Sequence, residues 1–361
     1  MDCYNPTSYL YSPGAANMDV KPTMSFVILS YNQEKFIRRA IEAAFAQSYE
    51  PLEIILSDDC STDSTYDIMC AMSRGYSGPK SLKVRKTEKN CGTLRHVVDV
   101  ASITSGELLI LAGGDDISKP NRVELLVEAW QNTGAWGIYS RFDRIDNKDY
   151  VIGRDELVEY IESINYPLRK YFDHTNDKIS IVHGATSAYD KRLFSYLKTT
   201  PQDYILSEDG ALSVLIHLLN KEVFFLNKSL VFYRESDQSL TNSSRNGPVS
   251  IKKYLDDEES ISRFARSQAN RCKLFLRFHT QYGASSNLKL DVKRLQKEYI
   301  KHYEISNWHK KNIISKLSFI FTYPTFLNFK WCIPRLLPKF YFLTLKTMFF
   351  KFKDYFTLQD Y

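Results

Sequence analysis

Leu52-Glu-Ile-Ile-Leu-Ser-Asp-Asp-Cys-Ser-Thr-Asp63 is the stretch whose reading decides how this chain folds. A short apolar run enters a polar, acidic loop, and apolar residues then recur at helical spacing over 62–73, which predicts a buried strand, a turn and a helix. Working outward, the same order repeats. Ser25-Phe-Val-Ile-Leu29 and an amphipathic stretch over 34–47 precede it; strands over 81–85 and 107–112, with a helix over 94–103 between them, follow it. Repeated alternation of strand and helix implies right-handed crossovers and a largely parallel sheet, which binds ligands at the carboxyl ends of its strands. The chemistry is therefore expected in four loops: Ser30-Tyr31-Asn32, 57–63, Lys89-Asn90-Cys91-Gly92 and Gly113-Gly114-Asp115-Asp116.

Size and composition narrow the class. At 361 residues, 43% hydrophobic and 14% aromatic, the chain is too apolar for a disordered protein and long enough for one catalytic-sized domain with an appendage. The formal charge of +6 is unevenly placed: after Glu304 there are nine Lys/Arg against Asp354 and Asp360, so that tail carries +7 and the rest −1. A near-neutral body excludes a general nucleic-acid binder, and the basic tail points to an anionic surface for the tail alone. Six cysteines without a Cys-x-x-Cys pair read as reduced thiols of a cytoplasmic protein. Residues 1–23 lack a basic start followed by an apolar run, and read as a loose leader.

No Gly-x-Gly-x-x-Gly follows the first strand and no Gly-Lys-Ser/Thr loop occurs, so an ordinary dehydrogenase or P-loop enzyme is excluded. What the loops carry instead is acid. Asp115 and Asp116 follow an apolar strand and two glycines, a setting in which carboxylates approach a diphosphate and hold a hard cation such as magnesium or manganese. Such a pair also serves as a turn or helix cap, and Asp58-Asp59 carries the same ambiguity, with Thr62 or Asp63 placed to cap the next helix. Two acidic pairs on one strand edge repel each other unless a cation or hydrogen-bond donors bind there, which favours the functional reading. Glu208-Asp209 opens an apolar helix, where acid suits the dipole in any case; folded over the strand ends, one carboxylate is placed to deprotonate an incoming hydroxyl.

In series, Phe26-Val-Ile-Leu-Ser-Tyr-Asn32, Ile54-Ile-Leu-Ser-Asp-Asp-Cys-Ser-Thr-Asp-Ser-Thr65, Asn90-Cys-Gly92, Gly106-Glu107, Gly113-Gly-Asp-Asp116, Ser207-Glu-Asp209 and Tyr233-Arg234 resemble family 2 of the inverting glycosyltransferases, which have the GT-A fold. The resemblance covers about residues 24–242. It implies that Asp59 reads a uracil or thymine edge beside the Ser30-Tyr31 loop. Asp115 would contact the ribose side, Asp116 bind Mn2+ or Mg2+, and Arg95 lie near the nucleotide or its phosphates. Asp209 is the implied catalytic base, with Glu208 the alternative because adjacent acids leave the register open. Where many relatives follow Tyr-Arg with a histidine, this chain has Ser236, and Asp237 is the substitute candidate. His183 and Gly184 are acceptor-side candidates.

The expected division is a leader (1–23), a GT-A catalytic domain (24–245, nucleotide-sugar half 24–140 and acceptor half 141–245) and a helical, basic-aromatic region (246–361). The tail's apolar pieces fall short of the ~20 residues of a spanning helix. Lys339, Lys346 and Lys353, among Phe340, Phe342, Leu343, Phe349 and Phe350, suit the interface of an anionic membrane, with packing on the protein itself as the competing reading. The implied activity moves a sugar from a nucleotide donor, UDP-sugar favoured, to a glycan or lipid-linked acceptor in bacterial polysaccharide assembly, on the inner face of the cell membrane. One rival is a sugar-nucleotide-binding protein without turnover. Another, a nucleotidyltransferase, lacks its glycine-rich, arginine-containing loop after the first strand.

Overall fold

The computed structural model describes residues 21–154, 181–197, 203–235 and 251–323. Most of the leader, Ser236, Asp237 and the tail beyond 323 lie outside the described residues. The first half alternates as expected: β1 (Met24–Ser30), α1 (Ile37–Phe45), β2 (Leu52–Asp58), α2 (Thr65–Arg74), β3 (Ser81–Lys86), α3 (Thr93–Ala101) and β4 (Leu108–Gly113). A two-residue strand β5 (Ile117–Ser118) and α4 (Arg122–Thr133) follow, then β6 (Gly137–Ile145), β7 (Val151–Arg154), β8 (Ala188–Asp190), α5 (Asp209–Leu218) and β9 (Val223–Arg234). Three helices close the described chain: α6 (Ile251–Tyr282), α7 (Val292–Ser306) and α8 (Ile313–Thr322).

The strands form one sheet in the order β3-β2-β1-β4-β8-β6-β9-β5, with β7 on β6. From β3 to β4 every pairing is parallel, which is the doubly wound half read from the sequence. Beyond β4 the sheet is mixed: β8 is antiparallel to both β4 and β6, while β6 and β9 run parallel through two register shifts. The long strands β6 and β9 fall where the sequence looked least regular. Their inward positions are interrupted by Arg141, Asp143, Asn227 and Lys228, so neither shows a clean period of two.

Because successive strand side chains point to opposite faces, each central strand feeds two cores. Phe26, Ile28, Ile54, Leu56 and Ile110 pack with Ile37 and Ile41 of α1 and Val123 and Leu126 of α4. Val27, Ile55, Leu109 and Leu111 pack with Val97 and Val100 of α3 and Leu212 and Leu215 of α5. Cys272, Phe275 and Phe278 of α6 belong to this second core. Through these side chains α6 packs on the same core as α3 and α5.

The turn after β2 carries backbone strain at one residue: Cys60 has φ +63°, the left-handed region that favours glycine. Cys60→Gly is expected to leave the unfolding midpoint unchanged or raised, whereas Cys60→Val, β-branched, should lower stability by roughly 1–2 kcal/mol in urea denaturation.

Candidate active site

The two acidic loops meet across the end of β1. Its last carbonyls accept from both: Ser30 from the Asp59 backbone N–H at 2.8 Å and Leu29 from that of Gly114 at 2.9 Å. Asp58 and Asp59 then take different roles. Asp58 is fully buried and accepts from the Ser61 N–H (2.8 Å) and hydroxyl (2.5 Å), so it shapes the turn. Asp59 faces the next loop. Its Oδ1 accepts from Thr87 Oγ1 (3.0 Å), the Cys91 N–H (3.0 Å) and the Cys91 thiol (3.1 Å), and its Oδ2 from the Gly92 N–H (3.2 Å). Burial and the Asp59 charge push the Cys91 thiol up to about 12, so it stays a donor. Behind this loop, His96 Nε2 lies 2.6 Å from Ser57 Oγ, and burial pushes that imidazole down to about 4.

At the end of β4, Asp116 is buried and its Oδ1 accepts from the Arg234 N–H at 2.9 Å, which joins it to the end of β9. The Arg234 side chain is also buried. It donates from Nε to the Asp115 carbonyl (2.8 Å), from its terminal nitrogens to the Asp146 carbonyl and the Asp149 carboxylate, and lies 4.5 Å over the Phe36 ring. Burial raises Asp115, and burial together with the neighbouring Asp115 charge raises Asp116 well above the carboxylate range. Two adjacent carboxylates held this way gain from a cation.

Oxygen atoms crowd the two glycines from both sides. A Cβ on Gly113 would stand 2.8 Å from Asp115 Oδ1 and 2.9 Å from Asp116 Oδ2; one on Gly114 would stand 2.3 Å from Gln33 Oε1 and 2.7 Å from Ser30 Oγ. Ser30 Oγ and Gln33 Oε1 are buried without a hydrogen-bond partner among the described residues, so this cradle has unspent polar capacity. Among the described residues no three His, Cys, Asp or Glu side chains form a ready metal cage. Magnesium and manganese do not require one, since phosphate oxygens and water complete a shell begun by one or two carboxylates.

Glu208 and Asp209 open α5 on the other wall. Asp209 Oδ1 accepts from Ser207 Oγ (2.8 Å) and the Gly210 N–H (2.6 Å), which orients it at the helix N-terminus. Glu208 is buried, and that burial beside Asp209 pushes it up to about 8. Both face the His183-Gly184 turn: a Cβ on Gly184 would stand 2.7 Å from Glu208 Oε1 and 3.7 Å from Asp209 Oδ2. The His183 ring stacks on Phe142 at 5.1 Å and meets Tyr233 edge-on at 5.6 Å, and burial pushes it down to about 4, so it is neutral. The segment before Glu208 is clamped on both sides. Thr93 Oγ1 donates to the Leu206 carbonyl (2.8 Å), Ser267 Oγ accepts from the Leu206 N–H (2.9 Å), and Asn270 Nδ2 donates to the Tyr204 carbonyl (3.0 Å).

Of the remaining candidates, Tyr31 is exposed at the rim, and the Arg95 guanidinium pairs with Asp99 one turn along α3 at 2.8 Å. The reading from sequence passed over Arg122. It is completely buried and donates to Ser118 Oγ (2.8 Å), the Leu111 carbonyl (2.7 Å) and the Ala185 and Ser187 carbonyls (3.4 Å each). It thus ties the strand bearing the acids to the turn facing Glu208. A signal was available: a cation in the first turn of a helix opposes the dipole, so its place at the start of α4 needs another cause. A surface depression lined by Thr23, Glu50, Lys80 and Ser105 lies at the opposite, N-terminal strand edge, away from these groups.

Residues 25–197 match the family described as glycosyl transferase family 2. An uncharacterised glycosyltransferase of Nostoc sp. is 23% identical over 81% of this chain and 87% of its own length. The glycosyltransferase GlyG of Streptococcus pneumoniae is 26% identical over 60% of this chain and 72% of its own. Among solved structures, the mannosyltransferase PcManGT of Pyrobaculum calidifontis in complex with GDP-Man and Mn2+ is similar at 12% identity, covering 91% of this chain and 88% of that one with a TM-score of 0.49.

The raised Glu208 carboxyl has a consequence for stability. A buried acid whose folded value lies above its unfolded one stabilises the protein while protonated in both states, and that contribution is lost as pH rises from about 4.5 towards 8. Thermal melts from pH 5 to 8 should therefore show the wild-type midpoint falling relative to that of Glu208→Gln as pH rises. Arg122→Met, which removes four buried hydrogen bonds and a buried charge, should cost about 3 kcal/mol or more in urea denaturation.

Proposed function

Because the chain belongs to glycosyl transferase family 2, we propose that this glycosyltransferase is an inverting, metal-dependent enzyme. It moves a sugar from a nucleoside diphosphate donor, UDP-sugar favoured, to a hydroxyl of a glycan or lipid-linked acceptor. The observation that supports the reading is the meeting of Asp59 and Gly114 on consecutive carbonyls of β1, which brings the loops carrying Asp59 and the Asp115-Asp116 pair together at one strand end. A pyrimidine imide N–H needs an acceptor. The Asp59 carboxylate, held in plane by Thr87, Cys91 and Gly92, supplies one.

Gly113 and Gly114 let the diphosphate approach the backbone, and Asp116, oriented by the Arg234 N–H, is the proposed protein ligand of Mn2+ or Mg2+, with Asp115 on the ribose side. When bound, such a cation supplies charge stabilisation for the departing nucleoside diphosphate. Asp209 is the proposed general base: its Oδ2 points toward the Gly184 turn while Oδ1 is occupied by Ser207 and Gly210, so one oxygen remains to take the acceptor's proton. Glu208, largely protonated near neutral pH, is a poorer base and better suited to donate a hydrogen bond. Attack from the Asp209 side, opposite the leaving diphosphate, is a single displacement and inverts the anomeric carbon. His183, neutral, and Gly184 line the acceptor side, and Arg95 remains a candidate for the nucleotide side. Assembly of a bacterial surface polysaccharide is the process such a transfer suits.

Calorimetry with UDP, dTDP and GDP, with and without Mn2+, tests the nucleotide half. Metal-dependent binding of a pyrimidine nucleotide is expected, weakened at least tenfold in Asp116→Asn; binding that ignores both metal and Asp116 would remove this assignment. Asp209→Asn should retain nucleotide binding and lose on the order of 10²-fold or more in turnover, read as release of nucleoside diphosphate.

A further inference from the structure

The last described helix has an apolar face turned away from the protein. In α8, Phe319 is the anchor: it is buried, and its ring meets Trp308 edge-on at 5.8 Å and Tyr323 at 4.9 Å. At 100° per residue, Ile313, Leu317, Phe321 and Ile314 fall within an arc of about 100° on the opposite side of the helix. Their exposures are 57%, 40%, 76% and 75%, which makes this the densest set of exposed large apolar side chains along any single described helix. Four such residues on ten positions exceed the scattered apolar exposure of an ordinary surface.

Charge indicates what meets this face. Lys310, exposed, precedes the helix, Lys311 beside it is paired with Glu304, and Lys316 lies on the helix flank, its ammonium 5.4 Å over the Trp308 ring. The next 38 residues, 324–361, hold six Lys/Arg against two Asp. The helix is about 15 Å long, so its face offers far less than the roughly 800 Å² per partner of a stable protein interface, and a second copy of the chain is not the favoured occupant. A lipid surface has no such area requirement, because each apolar side chain that enters the acyl boundary contributes separately and each flanking lysine meets an anionic headgroup. No described helix is long and apolar enough to cross a membrane.

We propose that the Ile313-Ile314-Leu317-Phe321 face of α8 is a docking surface for an anionic lipid bilayer. The helix lies in the interfacial plane, with Lys310 and Lys316 at headgroup level. The inference does not depend on which nucleotide or acceptor the enzyme uses.

Flotation of the full chain with phosphatidylglycerol/phosphatidylcholine vesicles, and with phosphatidylcholine alone, tests it. The wild type should float with the anionic vesicles, and Ile314→Ser/Phe321→Ser should reduce that partition by about tenfold or more, with unfolding midpoint and nucleotide binding unchanged. Both positions are exposed, so the double variant keeps its fold. Equal flotation of variant and wild type would overturn the proposal. So would a wild type indifferent to vesicles that changes from dimer to monomer on substitution, since a second copy would then cover the face.

Discussion

The structure depends on holding two adjacent carboxylates, Asp115 and Asp116, at the end of a buried strand, where burial disfavours their charged forms. Two arginines answer this, and both are buried outright. Arg234 gives Asp116 its backbone N–H and grips the Asp115 carbonyl; Arg122 acts on Asp116 by charge while its own burial brings its guanidinium down to about 10. A buried cation must in turn be hydrogen-bonded. Satisfying these two recruits the 146–149 turn, the ends of β4 and β5 and the 183–187 turn.

The consequence is that the acid pair is wired to both halves of the sheet. Arg122 reaches the Ala185 carbonyl, next to the Gly184 that Glu208 faces, so displacement of either wall is felt at the other. The opposite route runs through the first three loops. Asp59 holds Cys91 and Gly92, α3 begins there, and Thr93 holds the Leu206 carbonyl two residues before Glu208. α6 closes this circuit from outside through Ser267 and Asn270. Interactions of this kind are non-additive, because removing one partner leaves several buried groups unsatisfied at once.

The N-terminal half of the fold was legible because its strands are buried on both faces and its helices on one. Continuous apolar runs such as Phe26-Val-Ile-Leu29 and Leu108-Leu-Ile-Leu-Ala112 then alternate with helical periodicity, and both signals are local. The mixed half was not. β8 is three residues long, and β6 and β9 have their patterns broken by register shifts and by polar residues such as Asp143, paired with Lys119, and Asn227, paired with Arg141. Among site residues, the acids announced themselves by chemistry at strand ends. Arg122 did not, since an arginine in sequence looks the same whether it is solvated or the centre of a buried network.

Sequence alone determined the parallel half of the sheet, the edge on which ligands are expected, the absence of a dinucleotide or P-loop cradle and the likeness to glycosyl transferase family 2, because each rests on residue type and short-range spacing. Only the tertiary structure decided the rest. It separated Asp58, spent on its own turn, from Asp59, turned to the next loop. It set Glu208 apart from Asp209 by burying one and leaving the other an open oxygen, and it packed α6 into the second hydrophobic core. The physical reason is that adjacent identical or similar side chains differ only in what lies a few ångströms away, and the deciding neighbours can come from distant segments, as Cys91 does for Asp59 and Arg234 for Asp116.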